Sequence, residues 1–385
     1  MPAQTLTLHS IGAAVYRVPV REPVRTSFGV LRERAAVLVR VQDTDGVAGW
    51  GEIWCNFPTV GAEHRARLLA ETAAPLALAR GWASPAECHG ELVRALRILA
   101  IQSGEPGPIA QVLAGLDIAL WDLAARRKRQ PLWRLLGGRA GRVAVYASGL
   151  NPTEPERLAA EKAAAGYRAF KLKVGFGTEL DERNLDALRR ELGDRTTLMA
   201  DANQAWDLPQ ALDMAGRLGR FRLQWLEEPM RADAPMEDWR SLAARSPVTL
   251  AAGENLRQDG FDRFLAGGAL GVLQPDLAKW GGFSGCMALA GPAAAAGAWL
   301  CPHWLGGGVG LLAALHFKAA VGGEGYAEVD ANPNPLRELL AGALPAVREG
   351  AMDLPDTPGL GAVPDLRAAA TFLVAEQTVD RTHLR

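Results

Sequence analysis

Two of the six lysines in this 385-residue chain fall in one tripeptide, Lys171-Leu172-Lys173. The others are Lys128, Lys162, Lys279 and Lys318, and every other basic residue among the 42 is Arg. Arg stays charged, whereas a Lys with a lowered pKa can act as a base. In an extended strand Lys171 and Lys173 share one face, and Phe170, Leu172 and Val174 share the other. Two ammonium groups on one face lower each other's pKa, which primes one of them for proton abstraction. Starting from Lys173, successive short apolar runs are closed by Asp201, Glu227, Glu254, Asp276, His303 and Glu328, at intervals of 28, 26, 27, 22, 27 and 25 residues. A single acidic residue after a strand reads as a helix N-cap or a solvated loop. Seven ionisable residues in series do not, because independent caps would draw Ser, Thr and Asn as often.

Asp201, Glu227 and Glu254 would converge from three successive strands. Three carboxylates with few nitrogen ligands suit a hard divalent cation, chiefly Mg²⁺, and without a cation they would repel one another. Asn203 falls on the same face as Asp201 and offers a second polar contact. Of the adjacent Glu227 and Glu228 only one can face inward, so Glu228 is expected in the shell, in a structural ion pair. Asp276 beside His303 would fix the imidazole tautomer and raise its basicity. His9, His64, His89, His316 and His383 have no such context and read as structural or surface residues. The combination predicts removal of the α-proton from a metal-chelated carboxylate. Either Lys173 or His303 is the base, and the metal and a protonated Glu328 hold the enediolate.

These residues need a scaffold that brings strand ends together. Residues 11–52 read as a β-meander turned at Asp43-Thr44-Asp45-Gly46, and helical runs follow. A boundary falls near Gly137-Gly138. Beyond it, VAVYASG, FKLKVG, TLMADAN, LQWLEEP, VTLAAGEN, GVLQPD, AWLCPH and YAEVDA alternate with amphipathic stretches. Eight such β/α units in roughly 200 residues is the arithmetic of a TIM barrel, whose strands all end on the catalytic face. A doubly wound open sheet competes, but no strand leads into a convincing GxGxxG and helix, and Gly306-Gly307-Gly308-Val309-Gly310 reads as a loop. In a barrel the apolar trio around the lysines points outward under helices and both lysines point into the mouth.

Composition narrows the function. Net charge is −1 and apolar residues make up 49%, which excludes disorder and gives no bulk reason to bind nucleic acid or an anionic membrane. Cys55, Cys88, Cys286 and Cys301 form no CxxC and suit a reducing cytosol. The N-terminus does not read as a signal peptide. The longest apolar stretch, Met287 to Cys301, is too short and too broken to span a bilayer.

The motifs KLK, DAN, EEP, GEN, Asp276 with Lys279-Trp280-Gly281-Gly282, Pro302-His303 and Glu328, with GLDIALWD at 115–122, together resemble the enolase superfamily and its mandelate racemase subgroup. The resemblance spans essentially the whole chain. It implies an α/β fold: a modified TIM barrel, (β/α)7β, over residues 136–355, under an N-terminal α+β capping domain of residues 1–135 completed by about 356–385. It implies Mg²⁺ on Asp201, Glu227 and Glu254, Lys173 and the His303–Asp276 dyad as bases, and Lys171 with Glu328 on the substrate carboxylate. In muconate lactonizing enzymes a Lys base stands on the sixth strand, where this chain has Asp276. Lys279 matches a residue shared more widely. Lactonizing, dipeptide epimerase and succinylbenzoate chemistry are therefore disfavoured.

The subgroup includes racemases and acid sugar dehydratases, which the catalytic set does not separate. By the same resemblance, specificity comes from cap loops near 20–33 and 53–62, with Arg21, Arg25, Arg32, Arg34, Trp54, Asn56 and Phe57. Of these, Arg25, Trp54 and Asn56, with Asn203 and Lys279, are the expected substrate contacts. Arg and Asn suit a polyhydroxy acid, even a diacid, so dehydration of an acid sugar to a 2-keto-3-deoxy acid is expected. Racemisation of a 2-hydroxy acid is the alternative, and a catalytically silent barrel acting as a binding module is a third reading. The expected setting is a cytoplasmic homo-oligomer acting on a small carboxylate, with no nucleic acid or membrane partner.

Overall fold

The structure, a computed structural model, describes residues 5–384 and the side chains as far as residue 382. The chain opens with three antiparallel strands, β1 (Leu6–Thr26), β2 (Gly29–Asp43) and β3 (Ala48–Ile53). Their inward residues, among them Leu8, Val15, Val37, Val39 and Ile53, form one apolar cluster with helices. Chief among these is Pro106–Arg127, which is apolar almost all round, as a helix buried on every side must be. It is the one described helix long and apolar enough to cross a membrane, and most of it is buried inside the protein.

This helix seats directly on β3. A Cβ at Gly51 would lie 2.1 Å from the Gly115 carbonyl oxygen, and one at Gly115 would lie 2.4 Å from Ile53. Only a glycine seam lets the two backbones come this close. The helix's buried acids pin its C-terminal half. Asp117 accepts from Ser284 N and Oγ at 2.9 and 2.6 Å, and Asp122 accepts from Trp50 N and Leu360 N at 2.8 and 2.6 Å. The segment read as GLDIALWD is thus the joint between cap and barrel.

Eight parallel strands follow: β4 (Arg142–Leu150), β5 (Ala169–Lys173), β6 (Thr197–Asp201), β7 (Leu226–Glu227), β8 (Leu250–Ala252), β9 (Val272–Leu273), β10 (Trp299–Leu300) and β11 (Ala327–Asp330). All eight runs read from the sequence are strands. They pair consecutively from β4 to β10, and β11 pairs with β4. Glu328 N donates to Pro302 O at 3.3 Å, so the segment after β10 meets β11 and the sheet curls into a barrel-like body. A final strand, β12 (Leu373–Asp380), returns to the cap and pairs antiparallel with β1.

Alternation along β5 divides two cores. Phe170, Leu172 and Val174 lie in the outer cluster between strands and helices. Inside the barrel a smaller cluster of Tyr146, Met199, Trp225, Val272 and Cys301 forms a floor, with Tyr146 and Trp225 edge-to-face at 5.4 Å. All four cysteines are free and buried.

His316 sits in the buried helix Gly308–Val321, where its Nδ1 accepts from Trp133 N at 3.0 Å. Burial pushes its pKa from 6.5 down to about 3. Below its unfolded-state pKa the unfolded chain takes up a proton that the folded chain refuses, so stability falls as pH falls. Urea midpoints measured between about pH 7 and about pH 4 should decline more steeply in the wild type than in His316→Gln. Parallel declines would contradict a neutral, buried His316.

Candidate active site

The functional side chains gather at the C-terminal ends of β5 to β11. Lys171 is fully buried above the Tyr146 ring, with Nζ 2.6 Å from Glu227 Oε1, 3.0 Å from Glu328 Oε1 and 3.7 Å from Asp201 Oδ2. Lys173 Nζ lies 2.5 Å from Asp201 Oδ2. Both lysines point inward, as the alternation predicts. Their electrostatics differ from expectation. Burial and the neighbouring ammonium favour loss of the Lys173 proton, but Asp201 outweighs them and holds its pKa up. Burial likewise opposes charge on Lys171, and Glu227 and Glu328 hold its pKa well above the ordinary value. Carboxylates this close, in surroundings this dry, dominate the repulsion between two like charges.

Opposite the lysines stands the His–Asp pair. His303 Nδ1 is 2.8 Å from Asp276 Oδ2, and Nε2 is 3.0 Å from Glu254 Oε2 and 3.7 Å from Glu328 Oε2. Burial lowers the imidazole pKa, but Glu254, Glu328 and Asp276 together raise it to about 10, so the ring is an imidazolium here. Asp276 and His303 lie beyond the last paired residues of β9 and β10, and Glu328 lies inside β11 rather than at its end. The residue spacing therefore marks the turn after each strand as much as the strand terminus.

Glu328 is held ionised in this structure, where a protonated carboxyl is expected. Its burial is outweighed by Lys171, His303 and a hydrogen bond from Ser148, which hold its pKa down at about 2. Trp304 N also donates to it, at 3.1 Å. Among the described residues Glu228 forms no ion pair. It is buried, accepts the Asn255 amide at 2.8 and 3.0 Å, and is driven well up in pKa by burial and by Glu254. Burial also pushes Glu227 up to about 7 against the pull of Lys171, while Trp225 Nε1 and Gln274 Nε2 donate to it at 3.2 and 2.5 Å.

Among the described residues no three carboxylates or imidazoles are already drawn around a common point. Asp201, Glu227 and Glu254 are turned onto Lys173, Lys171 and His303 instead. The set nonetheless fits a hard divalent cation: three nearly buried oxygen donors from successive strands, balanced only by groups that can yield to a cation. Asn203 Nδ2 donates to Asp201 at 3.1 Å, while its own Oδ1 is buried without a partner.

A cavity of about 290 Å³ opens over these groups. Lys173, Glu254 and His303 line its base, with Asn203 and Lys279 beside them. The cap supplies Thr26, Phe28, Trp54, Asn56 and Phe57. Of the expected substrate contacts, Asn203, Lys279, Trp54 and Asn56 thus line this cavity, and Arg25 does not. Arg25 is exposed, and its backbone N–H donates to Asn151. Arg21 and Arg32 are exposed as well, and Arg34 is buried against Asp330 at 2.6 Å. An Arg on an exposed hairpin face looks the same in sequence as one lining a cleft.

Sequence reasoning missed Gln111 and Gln204, which also line the cavity, and it missed Glu52. Glu52 is the one charged residue in β3 and is buried. Its carboxylate accepts from Gly307 N at 2.6 Å and Gly310 N at 2.9 Å, and a Cβ at Gly307 would lie 2.4 Å from Glu52 Oε1. Burial outweighs these donors and raises its pKa to about 7. Trp54 N donates to Ala278 O at 3.2 Å, and Asn56 Nδ2 donates to Leu305 O. The end of β3 therefore holds both loops that carry the His303–Asp276 pair. An acid inside an apolar strand, next to glycines, is the signal that could have found it.

Residues 10–137 match the mandelate racemase / muconate lactonizing enzyme N-terminal domain, and residues 154–369 match the enolase C-terminal domain-like family. This chain belongs to the mandelate racemase/muconate lactonizing enzyme family. It is similar to D-galactarolactone cycloisomerase of Agrobacterium fabrum, 34% identical over 85% of this chain and 88% of that protein. It is also similar to 3,6-anhydro-alpha-L-galactonate cycloisomerase of Streptomyces coelicolor, 32% identical over 94% and 98%. L-talarate/galactarate dehydratase of Salmonella typhimurium is 34% identical over 67% and 64%. Among solved structures, a mandelate racemase/muconate lactonizing enzyme from Bordetella bronchiseptica is 53% identical, covering 96% of this chain and 99% of that one with a TM-score of 0.90. A racemase from Streptomyces coelicolor with bound magnesium is 29% identical, covering 95% and 100% with a TM-score of 0.85. Relatives of this family member thus include enzymes of acid sugars and racemases.

Replacing Glu52 by Gln leaves one carbonyl oxygen facing two N–H donors and turns an amide donor toward one of them. An unmatched buried donor costs about 1–3 kcal/mol. Glu52→Gln should lower the thermal midpoint by a few degrees with near-native circular dichroism. An unchanged midpoint would contradict the clasp.

Proposed function

We propose that this protein is a Mg²⁺-dependent enzyme that takes the α-proton from an acid-sugar carboxylate and eliminates the β-oxygen, giving a 2-keto-3-deoxy acid. The observation that carries this reading is the pair of bases facing one cavity, Lys173 from one side and the His303–Asp276 pair from the other, across buried carboxylates. A mere binding module would need neither base.

In this reading Asp201, Glu227 and Glu254 hold Mg²⁺, which when bound supplies Lewis-acid polarisation of the substrate carboxylate. The remaining work belongs to the chain. With its carboxylate partner committed elsewhere, Lys173 is freed from the ion pair that now keeps its proton. His303, relieved of Glu254, keeps Asp276, which orients the ring, and Glu328, and loss of the Glu254 charge lowers its pKa. Lys171 stays anchored on Glu328 and presents a fixed positive charge to the substrate carboxylate. One base removes the α-proton, and the other, in its acid form, protonates the departing oxygen. The neutral amides of Asn56, Gln111 and Asn203 accept and donate to hydroxyls without adding charge.

A racemase is the second reading. The opposed bases favour it, since one could remove a proton and the other return it to the opposite face, and a racemase is among the similar structures. Elimination is preferred because the three curated relatives named above bear acid-sugar names and because Asn56, Gln111, Asn203, Gln204 and Asn255 bring neutral amides to the cavity.

With Mg²⁺ in D₂O, an acid sugar that fits should exchange its α-hydrogen, and EDTA should stop the exchange. Lys173→Ala and His303→Asn should each lower turnover by at least about 10²-fold while leaving the fold intact by circular dichroism. Full activity in both variants would overturn the mechanism. Absence of exchange across a broad acid-sugar library would favour the binding module.

A further inference from the structure

We propose that Gln111 is a specificity-determining residue of this site. Buried Arg65 behind it fixes its amide so that N–H donors face the substrate, and they select a molecule whose end remote from the reacting carbons presents an oxygen acceptor. This rests on the acid-sugar reading above and adds the residue that reads the far end.

Gln111 is the one polar side chain among residues 106–116, the first half of the helix Pro106–Arg127. It is 7% exposed. A buried amide must be hydrogen-bonded by the protein or face a cavity that supplies the partner. Gln111 lines the cavity over the two bases and also an adjoining pocket of about 400 Å³. The two spaces share Glu254, Asn255 and Lys279 as well, so Gln111 stands where they meet.

Arg65, in the helix Gly61–Leu68, sets which end of the amide faces inward. Its Nε donates to Gln111 Oε1 at 2.7 Å, its Nη1 to Gly61 O at 2.8 Å and its Nη2 to Phe57 O at 3.3 Å. A guanidinium has donors only, so it holds the amide oxygen on its own side and leaves the amide N–H groups to the cavities. Gln111 Nε2 has no partner among the described residues. Arg65 is itself buried, and among the described residues its partners are neutral. A cation on the amide oxygen polarises the amide and strengthens its N–H donors. A negatively charged acceptor beyond the amide would offset a buried charge that otherwise lacks a counter-ion.

Donors continue past Gln111. Lys279 lines both spaces, with Nζ 2.7 Å from Asn255 Oδ1 and 3.6 Å from Glu254 Oε2. In the adjoining pocket Arg257 has no hydrogen bond or ion pair among the described residues, and Arg263 spends Nη2 on Ala232 O at 2.7 Å. Asp233 and Asp259 also line that pocket. Asp233 is paired with Arg231 at 2.7 and 2.9 Å, and Asp259 is exposed. With Glu254 given to a cation, Asp259 is the one carboxylate there without a partner among the described residues, against Arg257 and Arg263.

The full chain with Mg²⁺ should be offered an aldarate, the matching aldonate and the aldonate's terminal amino-deoxy analogue. The three share the reacting carbons and end in a carboxylate, a hydroxymethyl and an ammonium group. α-Hydrogen exchange in D₂O and keto-acid formation are followed for each. The wild type should prefer the carboxylate end to the ammonium end by about ten- to a hundred-fold in kcat/KM, with the difference lying in KM. Gln111→Glu keeps a partner for Arg65 but turns an acceptor inward, so it should reverse that order. Gln111→Met should abolish the preference. Arg65→Gln frees the amide to turn and should weaken the preference, and Arg65→Lys, again with donors only, should restore it. Lost stability alone would lower all three activities without moving their ratio. An unchanged ratio in Gln111→Glu and Gln111→Met overturns the role of Gln111. A ratio that moves in those variants but holds in Arg65→Gln overturns the lock by Arg65. Absence of exchange with all three acids overturns the acid-sugar reading itself.

Discussion

Carboxylates buried at the ends of neighbouring strands cannot stay ionised unless each finds a positive partner, and that constraint shapes everything around this site. Asp201, Glu227, Glu254, Glu328 and Asp276 come within one barrel mouth, and Lys171, Lys173, Lys279 and His303 are threaded among them. The same ion pairs that stabilise the mouth keep its bases protonated. A divalent cation competing for Asp201, Glu227 and Glu254 would replace those pairs at once, so metal affinity and base strength are two sides of one charge balance. The aromatic floor of Tyr146 and Trp225 beneath keeps the region dry enough for the balance to matter.

The cap is bound to this balance by short polar clasps, set in an apolar seam where Tyr16, Val18, Leu38 and Ile118 join the barrel's outer cluster. Glu52 grips the backbone at Gly307 and Gly310, Trp54 N reaches Ala278, and Asp117 holds Ser284. Each clasp ends on the loop after a catalytic strand or on the start of the helix that follows that loop. The glycine seam between β3 and the helix Pro106–Arg127 fixes the height at which β3 delivers Glu52, Trp54 and Asn56. Substrate selection and base positioning thus share one strand.

Much of this is legible in the amino-acid sequence. The spacing of Lys173, Asp201, Glu227, Glu254, Asp276, His303 and Glu328 carries the strand count, and alternation around Leu172 carries the inward direction of both lysines, because a backbone period is local and strict. Protonation is not legible there. Whether Glu328 donates a proton, whether Lys173 has a lowered pKa and whether Glu228 finds a cation depend on distances between residues far apart in the chain. The cap loops are half legible. Trp54 and Asn56 adjoin β3 and inherit its direction, whereas Arg25 lies past a register shift between Pro19 and Val24, where counting by two loses its meaning.

The return of β12 to the outer edge of β1 has a consequence for how the protein comes to be made. Residues 373–380 complete a sheet whose other strands lie before residue 83, so the cap remains an open-edged sheet through the synthesis of the entire barrel. Until β12 arrives, Ser10 to Tyr16 present unpaired N–H and C=O groups to any extended chain nearby. The pairing also spans almost the full contact length available, which makes it among the last and slowest to form. A chain stopped short of residue 373 would carry all of its chemical groups and still be exposed to aggregation through that edge.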